Sequence, residues 1–139
     1  MDKKIVQAVQ KRSGGVCEVC KGNYLLQHHH VIGGKGKRKL CENKYSVKFL
    51  CWNCHHGDYG VHGKNGDELD LKLKKELQNT LYTVLDKNLY TEEELIEILG
   101  IEPRQSWLLV KKLPAHITGD SVYYRKENII KRLMGDKFY

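Results

Sequence analysis

The first half of the sequence contains two cysteine pairs of equal spacing, Cys17-Glu18-Val19-Cys20 and Cys51-Trp52-Asn53-Cys54. Between them lies the segment His28-His29-His30-Val31-Ile32-Gly33-Gly34, and His55-His56 follows the second pair directly. Two intervening residues allow both sulfurs of one turn to face a single ion, and four thiolates are a common ligand set for tetrahedral Zn²⁺. The spacing therefore predicts a structural zinc held by Cys17, Cys20, Cys51 and Cys54.

The composition is that of a small globular protein. The chain has 139 residues, of which 40% are hydrophobic and 9% aromatic, more than a disordered chain contains. No apolar run approaches the roughly 20 residues of a membrane helix, and residues 1–12 lack the apolar centre of a secretory signal. We therefore expect a cytoplasmic protein without a membrane partner, where reduced cysteines favour metal over disulfides. The fifth cysteine, Cys41, is assigned no role.

The positive charge is confined to the first part of the chain. The net charge is +7 at pH 7. Residues 1–85 contain 15 Lys and Arg against 8 Asp and Glu, whereas residues 86–139 contain 9 of each. One loop concentrates the excess, with Lys35, Lys37, Arg38 and Lys39 beside a single acid, Glu42. Such a loop is either a solvated surface or a contact surface for phosphates.

Six of the seven histidines lie within or just beyond the span of the two cysteine pairs. They are His28, His29, His30, His55, His56 and His62. If four cysteines complete one zinc site, these histidines remain for a second site with open coordination positions. Successive side chains of a strand point to opposite faces, so His29 and His30 are not expected to perform the same task.

The order of these motifs resembles the HNH, or ββα-metal, nucleases. The matching elements are Cys17-x2-Cys20, His28–Gly34, Asn43, Cys51-x2-Cys54-His55 and Val61-His62. They cover residues 12–65, with a helical stretch beyond. The resemblance implies metal-dependent hydrolysis of DNA phosphodiester bonds. It also favours the basic loop at residues 35–48 as a contact surface for DNA phosphates. Imidazole ligands admit Mg²⁺, Mn²⁺, Ni²⁺ or Zn²⁺ as the catalytic divalent metal.

The same resemblance implies a role for each matching side chain. His30 would be the general base, and His29, His55 and His62 would be ligands of the catalytic metal. Asn43 would stabilise the loop and help to orient the base, so that His30 and Asn43 form the catalytic pair.

Three assignments stay open at this point. His28 could replace His30, because both lie on one face of a strand, and His56 could replace His55 as a ligand. Asn53 is the substitute for Asn43. The gap from His55 to His62 also exceeds the four-residue spacing of many family members, which places two ligands on adjacent helical turns.

The second part of the chain carries strong helix signals. Apolar residues among charged ones predict a helix from Asp67 to about Thr83. Thr91 and Glu94 have the spacing of a capping box at the start of another helix, and Gly100 is expected to end it.

A third helix is predicted to begin at Glu102-Pro103, followed by a β-hairpin around Gly119 and a last helix from Lys126 to Met134. Residues 89–134 resemble the winged helix-turn-helix of phage excisionases and MerR-type regulators. In that family the second helix of the domain and the hairpin contact DNA, and here the second helix is the one that begins at Glu102-Pro103. The resemblance therefore implies DNA contacts by Arg104, Gln105, Lys111 and Arg125, with Ser106, Lys112 and Thr118 as further candidates.

We therefore expect an α+β protein of two units. Residues 1–85 would form a zinc-stabilised HNH nuclease domain, and residues 86–139 a winged helix-turn-helix domain. The predicted function is a metal-dependent endonuclease that nicks or cleaves double-stranded DNA, encoded by a phage or mobile element and acting in the cytoplasm of a bacterial host. The alternative is a non-catalytic zinc-containing regulator or recombination accessory factor that binds DNA without cutting it.

Overall fold

A computed structural model describes all residues 1–139 and shows an α+β protein with seven helices and two small sheets. In chain order the elements are α1 (Lys3–Ser13), β1 (Gln27–His30), α2 (Lys37–Leu40), β2 (Val47–Leu50), α3 (Trp52–His56), α4 (Asp67–Val84), β3 (Leu89–Tyr90), α5 (Glu92–Leu99), α6 (Pro103–Val110), β4 (His116–Thr118), β5 (Ser121–Arg125) and α7 (Lys126–Leu133). None of these helices combines the length and apolar character needed to cross a bilayer.

The first sheet places two strands next to a short helix. β1 and β2 are antiparallel, with Gln27 opposite Leu50 and His30 opposite Val47. Cys51 follows β2 and caps α3, because its sulfur accepts a hydrogen bond from the N–H of Cys54 at 3.4 Å. The second cysteine pair therefore starts the helix that ends in the next histidines.

The helix α1 is an element that the sequence analysis did not predict. Asp2 caps it by accepting hydrogen bonds from the N–H groups of Lys4 and Ile5. Ile5 and Val9 are buried against Val47 of β2. Their four-residue spacing, which places both on one helical face, was the available signal.

Arg12 and Glu18 connect α1, the first cysteine pair and β2. The Arg12 guanidinium lies 2.5 Å from the Glu18 carboxylate and donates to the Val47 carbonyl at 2.6 Å. Glu18 also accepts from the N–H of Phe49 at 2.8 Å. Burial alone would raise the pKa of Glu18, but the hydrogen bonds from Arg12 and Phe49 hold it below its ordinary value. The ionised carboxylate thus stabilises the turn that carries Cys17 and Cys20.

The helix predictions for the second half are confirmed. α4 spans Asp67–Val84. α5 begins with the complete capping box of Thr91 and Glu94 and ends at Gly100, whose φ of 67° is the left-handed conformation that favours glycine. α6 begins at Pro103.

The predicted hairpin and last helix are also present. β4 and β5 pair antiparallel around Gly119, whose φ is 61°. α7 runs from Lys126 to Leu133, with Met134 as its cap. An unpredicted third strand, β3, pairs with β5, with Leu89 opposite Arg125.

One hydrophobic core extends through both parts of the chain. Leu77 and Leu81 of α4 belong to the same buried cluster as Val31, which follows β1, and Ile129 of α7. The thiol of Cys41 is buried in this cluster and donates to the carbonyl of Arg132 at 3.4 Å. The division into residues 1–85 and 86–139 stays a prediction, and the two parts share a continuous core.

Because the core is shared, we expect the two parts to unfold in one cooperative transition. Trp52 lies in the first part and Trp107 in the second, and the chain has no other tryptophan. The variants Trp52→Phe and Trp107→Phe therefore each leave one tryptophan, which can be excited selectively over the tyrosines. In each variant, fluorescence and far-UV circular dichroism should give the same denaturant midpoint. Two separate midpoints within one variant would show independently folding units.

Candidate metal centres

The four paired cysteines form one compact group. All four sulfurs lie within 4.8 Å of one another, and the Sγ atoms of Cys20 and Cys51 are 3.5 Å apart. None of the five cysteines is in a disulfide. The first pair lies in the loop between α1 and β1, and the second pair at the start of α3, so the group joins two distant segments. Such a set of thiols could hold a metal ion such as zinc.

Backbone N–H groups point at these sulfurs. The N–H of Val19 donates to Cys17 and that of Gly22 donates to Cys20, both at 3.4 Å. Burial alone would raise the pKa of Cys17, but the backbone hydrogen bonds lower it to about 7. Burial and the neighbouring sulfurs instead raise the pKa of Cys54. Besides burial, the raised pKa reflects the repulsion between neighbouring thiolates. A bound cation would remove that repulsion, so the group could hold a metal ion such as zinc.

Three histidines form a second group. Ring nitrogens of His29, His55 and His62 all lie within 4.8 Å of one another, and the ring of His29 is centred 5.1 Å from each of the other two rings. The Nε2 atom of His29 is buried and has no hydrogen-bond partner. An unpaired buried nitrogen is unfavourable, and Nε2 of His28 is buried without a partner as well. The Nε2 atom of His29 is available as a ligand atom, and the three imidazoles together could hold a metal ion.

Gln27 orients the rings of α3. Its Oε1 atom lies 2.8 Å from Nδ1 of His55 and 3.2 Å from Nε2 of His56. With Nδ1 of His55 donating to Gln27, Nε2 of His55 is left as its ligand atom. Such outer hydrogen bonds fix the tautomer of metal-binding histidines. His56 itself is exposed and lies outside the group of three.

A glycine-rich loop brings His62 next to His55 although the two residues are seven positions apart in the sequence. The chain turns back after α3, so that the N–H of His62 donates to the carbonyl of His55 at 2.9 Å. The loop is so tight that a Cβ at Gly63 would overlap the carbonyl oxygen of Gly57. Close backbone approach therefore replaces the helical spacing that the sequence lacked.

Both buried ligand candidates are held in the neutral form. Burial, followed by the charges of His55 and His62, lowers the pKa of His29 to about 3. Burial, followed by the charges of His56 and His62, lowers the pKa of His55 to about 4. Neutral imidazole is the form that binds metal, so this group is ready to accept a cation at neutral pH.

His30 lies outside this group and pairs with an acid. Its Nε2 atom lies 2.7 Å from Oε1 of Glu42, and both side chains are mostly buried. Sequence reasoning treated Glu42 only as the lone acid of a basic loop and missed this pair. Its position directly before Asn43 was the available signal.

Asn43 is fully buried and stabilises the loop that carries Glu42. Its side chain donates to the carbonyl of Cys41 at 3.0 Å and accepts from the N–H groups of Tyr45 and Ser46 at 2.8 and 3.2 Å. It makes no hydrogen bond to His30, and so would act on the base only through the backbone beside Glu42.

The open alternatives lie elsewhere. The ring of His28 packs on Phe49 at 4.7 Å, and burial lowers its pKa. Asn53 is exposed on α3. Neither residue lies in a metal-ligand group.

The predicted DNA-contact residues divide into two sets. Arg38, Lys39, Arg104, Gln105 and Lys111 line one groove together with His30. Lys35 and Arg125 are exposed outside it, and the ammonium of Lys37 donates to the carbonyl of Gly135 at 2.9 Å.

Comparison of the chain with family models, with curated proteins and with solved structures found no match.

Proposed function

We propose that the chain is a metal-dependent DNA endonuclease of the HNH type. The observation that carries the proposal is the group of His29, His55 and His62, in which a buried nitrogen of His29 has no partner. The consecutive residue, His30, is held by a carboxylate. A metal-ligand candidate, His29, and a candidate for the base, His30, are thus consecutive residues at the end of β1.

The three imidazoles would hold the catalytic divalent metal, and Cys17, Cys20, Cys51 and Cys54 the structural zinc. When bound, the catalytic cation would stabilise the negative charge that develops on the phosphate and on the leaving oxygen. The proton transfer and its orientation would fall to His30, Glu42 and Asn43.

His30 would serve as the general base. Donation of its Nε2–H to Glu42 leaves Nδ1 as the nitrogen that can accept a proton from the attacking water. The carboxylate fixes the tautomer and the ring orientation, and it stabilises the imidazolium that proton transfer produces. Asn43 would maintain this arrangement by stabilising the loop of Glu42.

The C-terminal part would act as a winged helix-turn-helix. Its sequence of α5, a turn at Gly100, α6, the β4–β5 hairpin and α7 supports this proposal. The amide of Gln105, however, donates to the carbonyls of Leu40 and Glu42, in the stretch 37–42 that contains α2 and is called the α2 segment below. In this arrangement the amide is used within the chain and is not available to a DNA base.

The test is incubation with supercoiled plasmid in the presence of Mg²⁺ or Mn²⁺. We expect nicked or linear product from the native chain, and a rate at least about 100-fold lower from His62→Ala, which removes a proposed metal ligand. His56→Ala is the matched control, since it removes a neighbouring imidazole outside the ligand group, and should keep most of the activity.

Absence of product from the native chain with every divalent metal would contradict the proposal. DNA binding without cleavage would then favour the regulator, which needs the cysteine group and the C-terminal part but not the three histidines.

A further inference from the structure

A groove of about 1110 Å³ lies between the α2 segment and α6, apart from both groups of metal-ligand candidates. His30 and Glu42 line it together with Arg38 and Lys39 from the first part of the chain. The second part contributes Arg104 and Gln105 of α6, and Lys111 and Lys112 directly after it. The groove is therefore built by both parts of the chain and contains the candidate base.

Positive charge dominates the lining. Six Lys and Arg residues line the groove against three Asp and Glu. Two of the acids have partners of their own, because Glu42 pairs with His30 and Glu102 lies 3.7 Å from Lys4. Among the cations only Arg132 has a carboxylate partner. The other five are Arg38, Lys39, Arg104, Lys111 and Lys112, and they remain free to attract a polyanion.

Gln105 fixes the distance between the two walls. Its Nε2 atom donates to the carbonyls of Lys39 and Leu40, at 3.4 and 3.2 Å, and to that of Glu42. The groove is therefore preformed, and α6 is attached to the segment that carries Glu42.

We propose that this groove holds the phosphodiester backbone of DNA, with Arg38 and Lys39 on one wall and Arg104 and Lys112 on the other. Unpaired cations on opposed walls match an extended polyanion, and only three hydrophobic residues line the groove, which disfavours an apolar partner. The choice of DNA rests on the proposed endonuclease function. In this arrangement α6 would hold the backbone beside His30, so the second part of the chain would contact the same DNA as the candidate base.

The experiment compares two double variants of the full chain. Arg104→Gln with Lys112→Gln removes two groove cations, whereas Lys72→Gln with Lys75→Gln removes two exposed cations of α4 that lie outside the groove. Binding of a short fluorescein-labelled DNA duplex is measured by anisotropy over a range of salt concentrations. Each lost phosphate contact should lower the slope of log affinity against log salt by about 1.

We expect the groove variant to bind DNA with an affinity lower by about 10-fold or more, and the magnitude of its salt slope to fall by about 2. The affinity and the salt slope of the α4 variant should stay close to those of the native protein. For plasmid cleavage, KM should rise while kcat at saturating DNA is retained, because His30 and Glu42 are intact. Equal affinities and salt slopes for the two variants would overturn the groove proposal. Native protein that binds through the groove but cuts nothing would overturn the endonuclease proposal alone.

Discussion

The variant His30→Ala is expected to lose DNA cleavage by about 10²- to 10⁴-fold, the range of general acid–base catalysis. The imidazole is the only group at the end of β1 whose remaining nitrogen is set up by a carboxylate, Glu42 at 2.7 Å. Its removal should leave the metal content unchanged, because neither the cysteine group nor the three-histidine group includes His30. DNA binding should also persist, and plasmid cleavage, zinc analysis and anisotropy together measure these outcomes.

Two further variants sharpen this prediction. Glu42→Gln keeps the shape of the side chain but removes the charge that holds His30, and should lower kcat by about 10- to 100-fold. His28→Ala is the matched control for register, since His28 shares a strand face with His30 but packs on Phe49. Full activity of His30→Ala with loss of activity in His28→Ala would move the base to His28. Loss of zinc in His30→Ala would show that the two sites had been confused.

The variant Cys54→Ser is expected to lose the structural metal and, because the two parts share one core, to lower the stability of the whole chain. The cysteine group ties the loop before β1 to the start of α3, segments about 30 residues apart in the chain. A structural zinc supplies folding free energy directly. Because Cys54 directly precedes His55, loss of this turn should also abolish cleavage. Zinc analysis, thermal unfolding by circular dichroism and plasmid cleavage measure the three effects.

Cys41→Ala is the matched control for that variant. Cys41 is buried outside both metal groups, and burial raises the pKa of its thiol to about 11. Its loss should lower the melting temperature modestly through packing, while the zinc content is unchanged. A Cys54→Ser protein with native zinc content and native melting temperature would contradict a structural role for the four cysteines.

The local features of the chain could be predicted because their causes are local. Two residues between cysteines place both sulfurs on one turn, and the observed group contains the four predicted thiols. The capping box of Thr91 and Glu94 forms because both residues lie within one helical turn. These interactions depend on bond geometry over a few residues, so neighbouring residues suffice to define them.

The partners of the candidate base could not be predicted in the same way. His30 and Glu42 are 12 residues apart and meet across a loop. His62 reaches the other ligands through tight glycine turns instead of helical spacing. Gln105 is 63 residues from Glu42, and its amide is used inside the chain although its position in a helix-turn-helix pattern pointed to DNA. Each of these contacts exists because distant segments are packed together.

The sequence by itself therefore determined the types of site: a four-cysteine group, a histidine-rich second site, and a set of helices and a hairpin with defined caps. Only the tertiary structure decided which histidines come together, which acid holds His30, and that α6 forms a basic groove with α2. The physical reason is the range of the interactions. Caps and paired cysteines depend on backbone geometry over three or four residues. The distances between the functional side chains are instead set by one continuous core, which includes residues from Cys17 to Met134.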